Sequence, residues 1–84
     1  MAIETLSITY VEGDKDQAEI AERIEALARE KGRICMVYGA GWVDIAHPGD
    51  PMPLLKIDGF AVAMGWDVEK VLNDGQLAKA LDAA

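Results

Sequence analysis

The strongest constraint on this chain is a change of hydrophobic period within its first forty residues. Thr5–Val11 alternates strictly: Leu6, Ile8 and Tyr10 fall on one side, Thr5, Ser7 and Thr9 on the other, with β-branched residues throughout. Period two with these residue types predicts a half-buried strand. Gly13 ends it, and Asp14 follows as an N-cap with Gln17 three residues on, a variant of the capping box. From Lys15 to Lys31 the period becomes helical. Ile20, Ile24 and Leu27 form a stripe flanked by Ala21 and Ala28, and Gly32 supplies the stop. Glu19–Arg23 and Glu25–Arg29 stand at i,i+4 in the favourable order.

Arg33–Tyr38 is a nearly continuous apolar run, the pattern of a strand buried on both faces of a parallel sheet. Strand, long helix and strand together predict a right-handed βαβ crossover. Leu54–Ile57 and Phe60–Met64 flank Asp58-Gly59, the signature of a two-residue type I′ hairpin. Asp67 is expected to cap a last helix running to Leu81, with Val68, Val71, Leu72, Leu77 and Leu81 inward and an interruption at Asp74-Gly75. The expected fold is α/β: a mixed sheet of about four strands packed by two helices, in the order βαβ-ββα. At 84 residues there is material for a single domain, residues 1–84.

The side-chain inventory closes most catalytic routes. There is one serine (Ser7), one histidine (His47), one cysteine (Cys35), one asparagine (Asn73) and two threonines. No zinc site can be assembled from one His and one Cys at the usual spacings, and neither phosphate-cradling glycine motif is present. We therefore expect no metal, no cofactor and no enzymatic activity. A lone cysteine forms no internal disulfide, no apolar run is long enough to span a bilayer, and Met1–Glu4 lacks a signal-peptide pattern, so a cytoplasmic protein is expected.

The formal net charge is −7, distributed as −5 over residues 1–30, +1 over 31–56 and −3 over 57–84. Phosphate groups are bound by cations, so direct contact with nucleic acid or an anionic membrane is disfavoured and a partner protein with a basic surface is the complement. Asp14, Asp16, Glu19, Glu22 and Glu25 place carboxylates along the first helix and are the candidate binding face. A solvated helix face that only confers solubility is the plainer reading of the same residues. His47, beside Pro48, is read as a loop histidine; Trp66, and Met36, Met52 and Met64, are read as core packing.

The C-terminal half resembles the glutaredoxin branch of the thioredoxin-like fold. Pro53-Leu54-Leu55-Lys56-Ile57-Asp58-Gly59 is similar to the family's T-V-P-x-x-F-I-x-G segment, whose proline is cis. Gly65-Trp66-Asp67 followed by Leu72, Gly75, Leu77 and Leu81 is similar to its G-G-x-D-D-L ending. The resemblance implies a thioredoxin-like core in which the Met52-Pro53 backbone and the helix start at Asp67 hold glutathione; with Trp66, whose other reading is an aromatic anchor for a partner, Pro53 and Asp67 are the candidate ligand or partner contacts. Two departures stand out. One residue too many lies between Gly59 and Gly65, and Gly39–Asp50 occupies the place of the family's second helix.

The departure with chemical consequences is at the start of the first helix. Where the family has C-x-x-C or C-x-x-S, this chain has Asp14-Lys15-Asp16-Gln17. A helix N-terminus lowers the pKa of a thiol and makes it reactive; a carboxylate in the same field caps the helix but forms no mixed disulfide. Cys35, within an apolar strand, is expected to be inert. The resulting expectation is a redox-inactive acidic binding or inhibitor protein. By type rather than by motif it is similar to small phage-encoded inhibitors of the anti-CRISPR kind, which act on nucleic-acid-binding complexes. The alternative is a divergent glutaredoxin-like enzyme or glutathione-binding module.

Overall fold

A computed structural model describes residues 5–40 and 53–83. Seven elements follow one another: β1 (Thr5–Val11), α1 (Lys15–Glu30), β2 (Ile34–Ala40), β3 (Leu54–Ile57), β4 (Phe60–Met64), α2 (Trp66–Asn73) and α3 (Gln76–Ala83). The strands form one mixed sheet in the order β2-β1-β3-β4. β1 and β2 are parallel, joined through α1, while β1–β3 and β3–β4 are antiparallel.

The alternation of β1 determines where the core lies. Leu6 and Ile8 are completely buried, and cross-strand register places Leu55 beside Ile8 and Ala63 beside Leu55 on the same side of the sheet. All three helices pack on that side. Ile20, Ala21, Ile24 and Ala28 come from α1, Val68 from α2, Leu77 and Leu81 from α3, and together with the strand residues they form one continuous cluster. Among the described residues, nothing covers the other face.

Local chemistry explains how each element begins and ends. The Asp14 carboxylate accepts from the Gln17 amide (3.1 Å) and caps α1. Gln17 does not complete an ordinary capping box. Its side-chain oxygen reaches past the N-cap to accept from the Val11 N–H (2.8 Å), and its Nε2 donates to the second oxygen of Asp14 (3.4 Å). The Gln17 side chain is thus buried, at 2% exposure, and bridges the end of β1 to the first turn of α1. The other end closes as a Schellman motif: Gly32 adopts φ 71°, Arg33 N–H donates to the Ala28 carbonyl (2.8 Å) and Gly32 N–H to that of Arg29 (3.1 Å).

The hairpin turn has positive φ at both Asp58 (52°) and Gly59 (88°), as type I′ requires. Asp58 also ties the hairpin to β1, donating its N–H to the Thr5 carbonyl (2.8 Å) and accepting from the Thr5 N–H (2.9 Å). β4 carries a bulge opposite β3. Lys56 pairs with Ala61 and Leu55 with Ala63, leaving Val62 without a partner position.

Four expectations need correction. The C-terminal segment is two helices and not one, because Asp74-Gly75 forms a turn with Gly75 at φ 78°. The residue preceding α2 is Gly65 at φ 63°, so Asp67 lies in the first turn instead of capping it. β2 is not buried on both faces: among the described residues it is an edge strand, with Ile34 56% and Tyr38 50% exposed and Met36 and Val37 also open. Trp66, at 66% exposure, and Met64 are likewise outside the core. His47 and Met52, and the stretch Trp42–His47 whose sequence fits either a short strand or an irregular segment, lie outside the described residues.

The buried Gln17 bridge yields a stability prediction. Gln17→Ala leaves the Val11 N–H and an Asp14 oxygen without their partner and should lower unfolding free energy by about 1–3 kcal/mol. Glu19→Ala, on the exposed face of the same helix, should change it by less than about 0.5 kcal/mol. Urea denaturation of both variants checks this; equal effects would mean that the bridge contributes nothing particular.

Candidate functional site

Two regions bring the candidate residues together. The first is the end of the sheet where β1 terminates. Asp14 N–H donates to the Val11 carbonyl (3.1 Å), which holds the start of α1 there. Leu54 pairs with Thr9, so Pro53 lies at the same end, and the Pro53 carbonyl accepts from Gly65 N–H (2.8 Å), bringing in the start of α2. Asp14, Pro53, Trp66 and Asp67 therefore gather at one end of the sheet. Their side chains differ in availability. Pro53 is buried, both Asp14 oxygens are engaged by Gln17, and Trp66 and Asp67 are exposed. The Met52 half of the Met52-Pro53 unit lies outside the described residues.

The second region is the outward side of α1. Asp16, Glu19 and Glu22 are exposed and Glu25 is half-buried. The cations on this helix do not neutralise all of them. Arg23 does not pair with Glu19 as its spacing suggested; it reaches α2 and hydrogen-bonds the Asn73 side chain at 2.5 Å. Arg29 does pair with Glu25, at 3.6 Å, with both groups well solvated, a contact worth a few tenths of a kcal/mol. Lys31 and Arg33 are drawn to the C-terminus of α3, where Lys31 pairs with Asp82 (2.8 Å) and Arg33 donates to the Leu81 carbonyl (2.6 Å). Tertiary contacts thus pull three of the nearby cations toward α2 and α3. Asp16, Glu19 and Glu22 are left facing solvent, with the exposed Lys15 one turn before Glu19.

Between α1 and β2 lies a groove of about 200 Å³, lined by Tyr10, Ala18, Ala21, Glu22, Glu25 and Val37. Its floor depends on a glycine. Gly39 pairs with Tyr10 in the β1–β2 register, and a Cβ there would stand 3.3 Å from the phenol oxygen. The Tyr10 ring therefore lies against bare backbone. Sequence reasoning selected the carboxylates by charge but gave no sign of this groove, since it is built across a strand pairing. A second, apolar groove of about 180 Å³ lies between the hairpin and the C-terminal helices, beside Leu55, Val62, Val71 and Leu77.

Cys35 is half-buried. Burial pushes its thiol pKa up, and the negative charge of Glu25 pushes it further the same way. Among the described residues, no group of three or more His, Cys, Asp or Glu side chains is placed to hold a metal ion, and no helix is long and apolar enough to cross a membrane. Compared with protein-family models, with curated proteins and with solved structures, the chain matches none. Its chemistry is accordingly read from its own residues.

The causes acting on Cys35 set a pH test. Because the folded-state pKa is raised, the thiol should react with iodoacetamide more slowly than free cysteine between pH 8 and pH 9 and accelerate only at higher pH. The protonated folded form is favoured, so its stabilising effect is lost as pH rises through the raised folded pKa. Glu25→Gln should move the reactivity midpoint to lower pH without abolishing the shift, since burial is the larger cause. A midpoint at or below that of free cysteine would contradict this description.

Proposed function

We propose that the chain is a redox-inactive binding or inhibitor protein on a thioredoxin-like scaffold, with the acidic face of α1 engaging a basic surface of another protein. The strand order β2-β1-β3-β4, with the βαβ unit preceding the antiparallel hairpin, supports the scaffold assignment. Of Gly39–Asp50, which stands in the place of the family's second helix, Gly39 and Ala40 end β2 and the rest lies outside the described residues.

The observation that carries the functional reading is the fate of the cations. Arg23, Lys31 and Arg33 are turned toward α2 and α3, so the exposed sector formed by Asp16, Glu19 and Glu22 keeps a net negative charge despite the exposed Lys15 beside it. Such a sector accelerates encounter with a cationic surface and fixes orientation, which is what an occupier of a nucleic-acid-binding groove requires. A nucleic-acid-binding complex is a suitable target class for this reason. At the start of α1, the group in the reactive position is Asp14. A carboxylate has no thiol-disulfide chemistry, and both of its oxygens are already committed.

The test uses a nonaarginine peptide as probe. Glu19→Lys combined with Glu22→Lys should weaken binding by about tenfold or more at low salt, chiefly through the association rate, and raised salt should abolish the difference. Glu69→Lys with Asp74→Lys, an equal charge change on α2 and the turn after it, should have a much smaller effect. Equal losses from the two double variants would reduce the acidic face to net charge alone and contradict the proposal.

A second reading, binding of glutathione at the sheet end, is favoured by the convergence of Pro53, Trp66 and Asp67 with the start of α1. Charge opposes it. Asp14 and Asp16 at the start of α1, with Asp67 and Glu69 in the first turn of α2, surround that end with carboxylates, and glutathione is itself anionic. Calorimetric titration with glutathione should give no heat of binding. Saturable heat that is lost in Trp66→Ala would establish the second reading in place of the first.

A further inference from the structure

The two edges of the sheet are differently protected. β4 has five residues and is broken by the bulge at Val62, a device that discourages further pairing. β2 has seven residues, Ile34-Cys35-Met36-Val37-Tyr38-Gly39-Ala40, without a charge, a proline or a bulge. Among the described residues it has a neighbour on one side only. A long, regular and uncharged edge of this kind is a template for another strand.

The direction of its free hydrogen-bonding groups follows from one contact. Glu12 N–H donates to the Ala40 carbonyl at 2.7 Å, so Ala40 turns its backbone polar groups toward β1. Alternation along the strand then turns those of Tyr38, Met36 and Ile34 inward as well, and those of Cys35, Val37 and Gly39 outward. A strand laid alongside, about 4.8 Å away, would meet three residues with both N–H and C=O available.

The side chains that a fifth strand would meet differ between the two faces. On the uncovered face lie Ile34, Met36 and Tyr38, all exposed, with the Tyr38 hydroxyl 3.3 Å from the Met36 sulfur. On the helix face lie Cys35, Val37 and Gly39, and above them the groove walled by Glu22 and Glu25. We propose that the outer edge of β2 accepts an extended segment of a partner protein as an added strand, whose side chains alternate between apolar residues over Ile34, Met36 and Tyr38 and basic residues under Glu22 and Glu25.

The groove suits a long cationic side chain. The methylene stem of an arginine or lysine lies on Val37 and Ala18, its charged head meets Glu22 and Glu25, and the Tyr10 ring offers a π-face. The Arg29–Glu25 contact is solvated and readily exchanged for an incoming cation. The same geometry disfavours a second copy of this chain. Antiparallel pairing of β2 with itself brings two α1 helices side by side on one face, and with them two sets of Glu22 and Glu25, a like-charge contact. The inference rests on the acidic-face reading and deepens it, by adding a backbone contact and a sequence pattern to the partner.

The experiment is amide hydrogen exchange on the uniformly labelled protein, free and with three end-blocked heptapeptides. One alternates valine and arginine, one alternates valine and glutamate, and one has the composition of the first with its arginines contiguous. In the free protein the amides of Cys35, Val37 and Gly39 should exchange about 100-fold faster than those of Met36 and Tyr38. The alternating valine–arginine peptide should slow those three by about tenfold or more, and the other two peptides should not. Ala18→Leu fills the groove without changing charge and should abolish the protection.

Protection of Cys35, Val37 and Gly39 in the free protein would overturn the proposal, because the edge would already be covered by the chain itself or by a second copy. Equal protection by the contiguous peptide would also overturn it. Binding that responds to Glu19→Lys and Glu22→Lys but leaves β2 exchange unchanged would overturn the strand addition while the acidic face stood. Absence of binding by any cationic peptide would overturn both.

Discussion

The arrangement of this molecule depends on one buried amide. The Gln17 side chain accepts from Val11 at the end of β1 and donates to Asp14 at the cap of α1, so strand end, turn and helix start are held by a single group. With Asp14 capping at the same point, the N-terminal turn of α1 is fixed over the end of the sheet. That direction sets the helix's two sides. Ile20, Ile24 and Ala28 enter the core, while Asp16, Glu19 and Glu22 face solvent. At that helix start both oxygens of Asp14 are engaged by Gln17.

One-sided burial follows from the same geometry. Leu6, Ile8, Leu55 and Ala63 present one apolar face, and all three helices are used to cover it. Within the described residues the opposite face and both sheet edges therefore remain open, which is where the exposed Ile34, Met36, Tyr38 and Met64 are found. The charges are partitioned in parallel. Polar ties from Arg23, Lys31 and Arg33 hold α1 and the segment after it to α2 and α3, while Arg29 stays beside Glu25 on the α1–β2 side. The apolar edge and the groove walled by Glu22 and Glu25 thus adjoin one another as consequences of packing, and neither requires a separate cause.

Much of this architecture was legible because it is encoded locally. Alternation in Thr5–Val11, the stop at Gly32 and the Asp58-Gly59 turn each depend on neighbouring residues alone, and each stands where the pattern placed it. The bulge at Val62 was not legible, because it depends on the β3–β4 register. The errors share a cause. A continuous apolar run such as Ile34–Tyr38 has the same appearance whether helices cover both faces or a strand stands at an uncovered edge, since exposure depends on elements distant in sequence. Trp66 was misplaced for the same reason. The α1–β2 groove was not legible, because it needs the Tyr10–Gly39 pairing before it exists. Arg23 escaped its i,i+4 partner because Asn73, fifty residues away, offers a neutral contact that also joins two helices.

In the reading proposed above, the start of α1 has the electrostatic field of a reactive-thiol site while Asp14 leaves it without a reaction. The most direct test is the thiol pKa of Asp14→Cys in a Cys35→Ser background, followed by thiolate absorbance across pH. The account predicts a pKa clearly below the free-cysteine value of about 8.5, because helix N–H groups and the Gln17 amide stabilise the thiolate there. A value at or above 8.5 would mean that this helix start exerts no such field, and the scaffold reading would be contradicted at its origin.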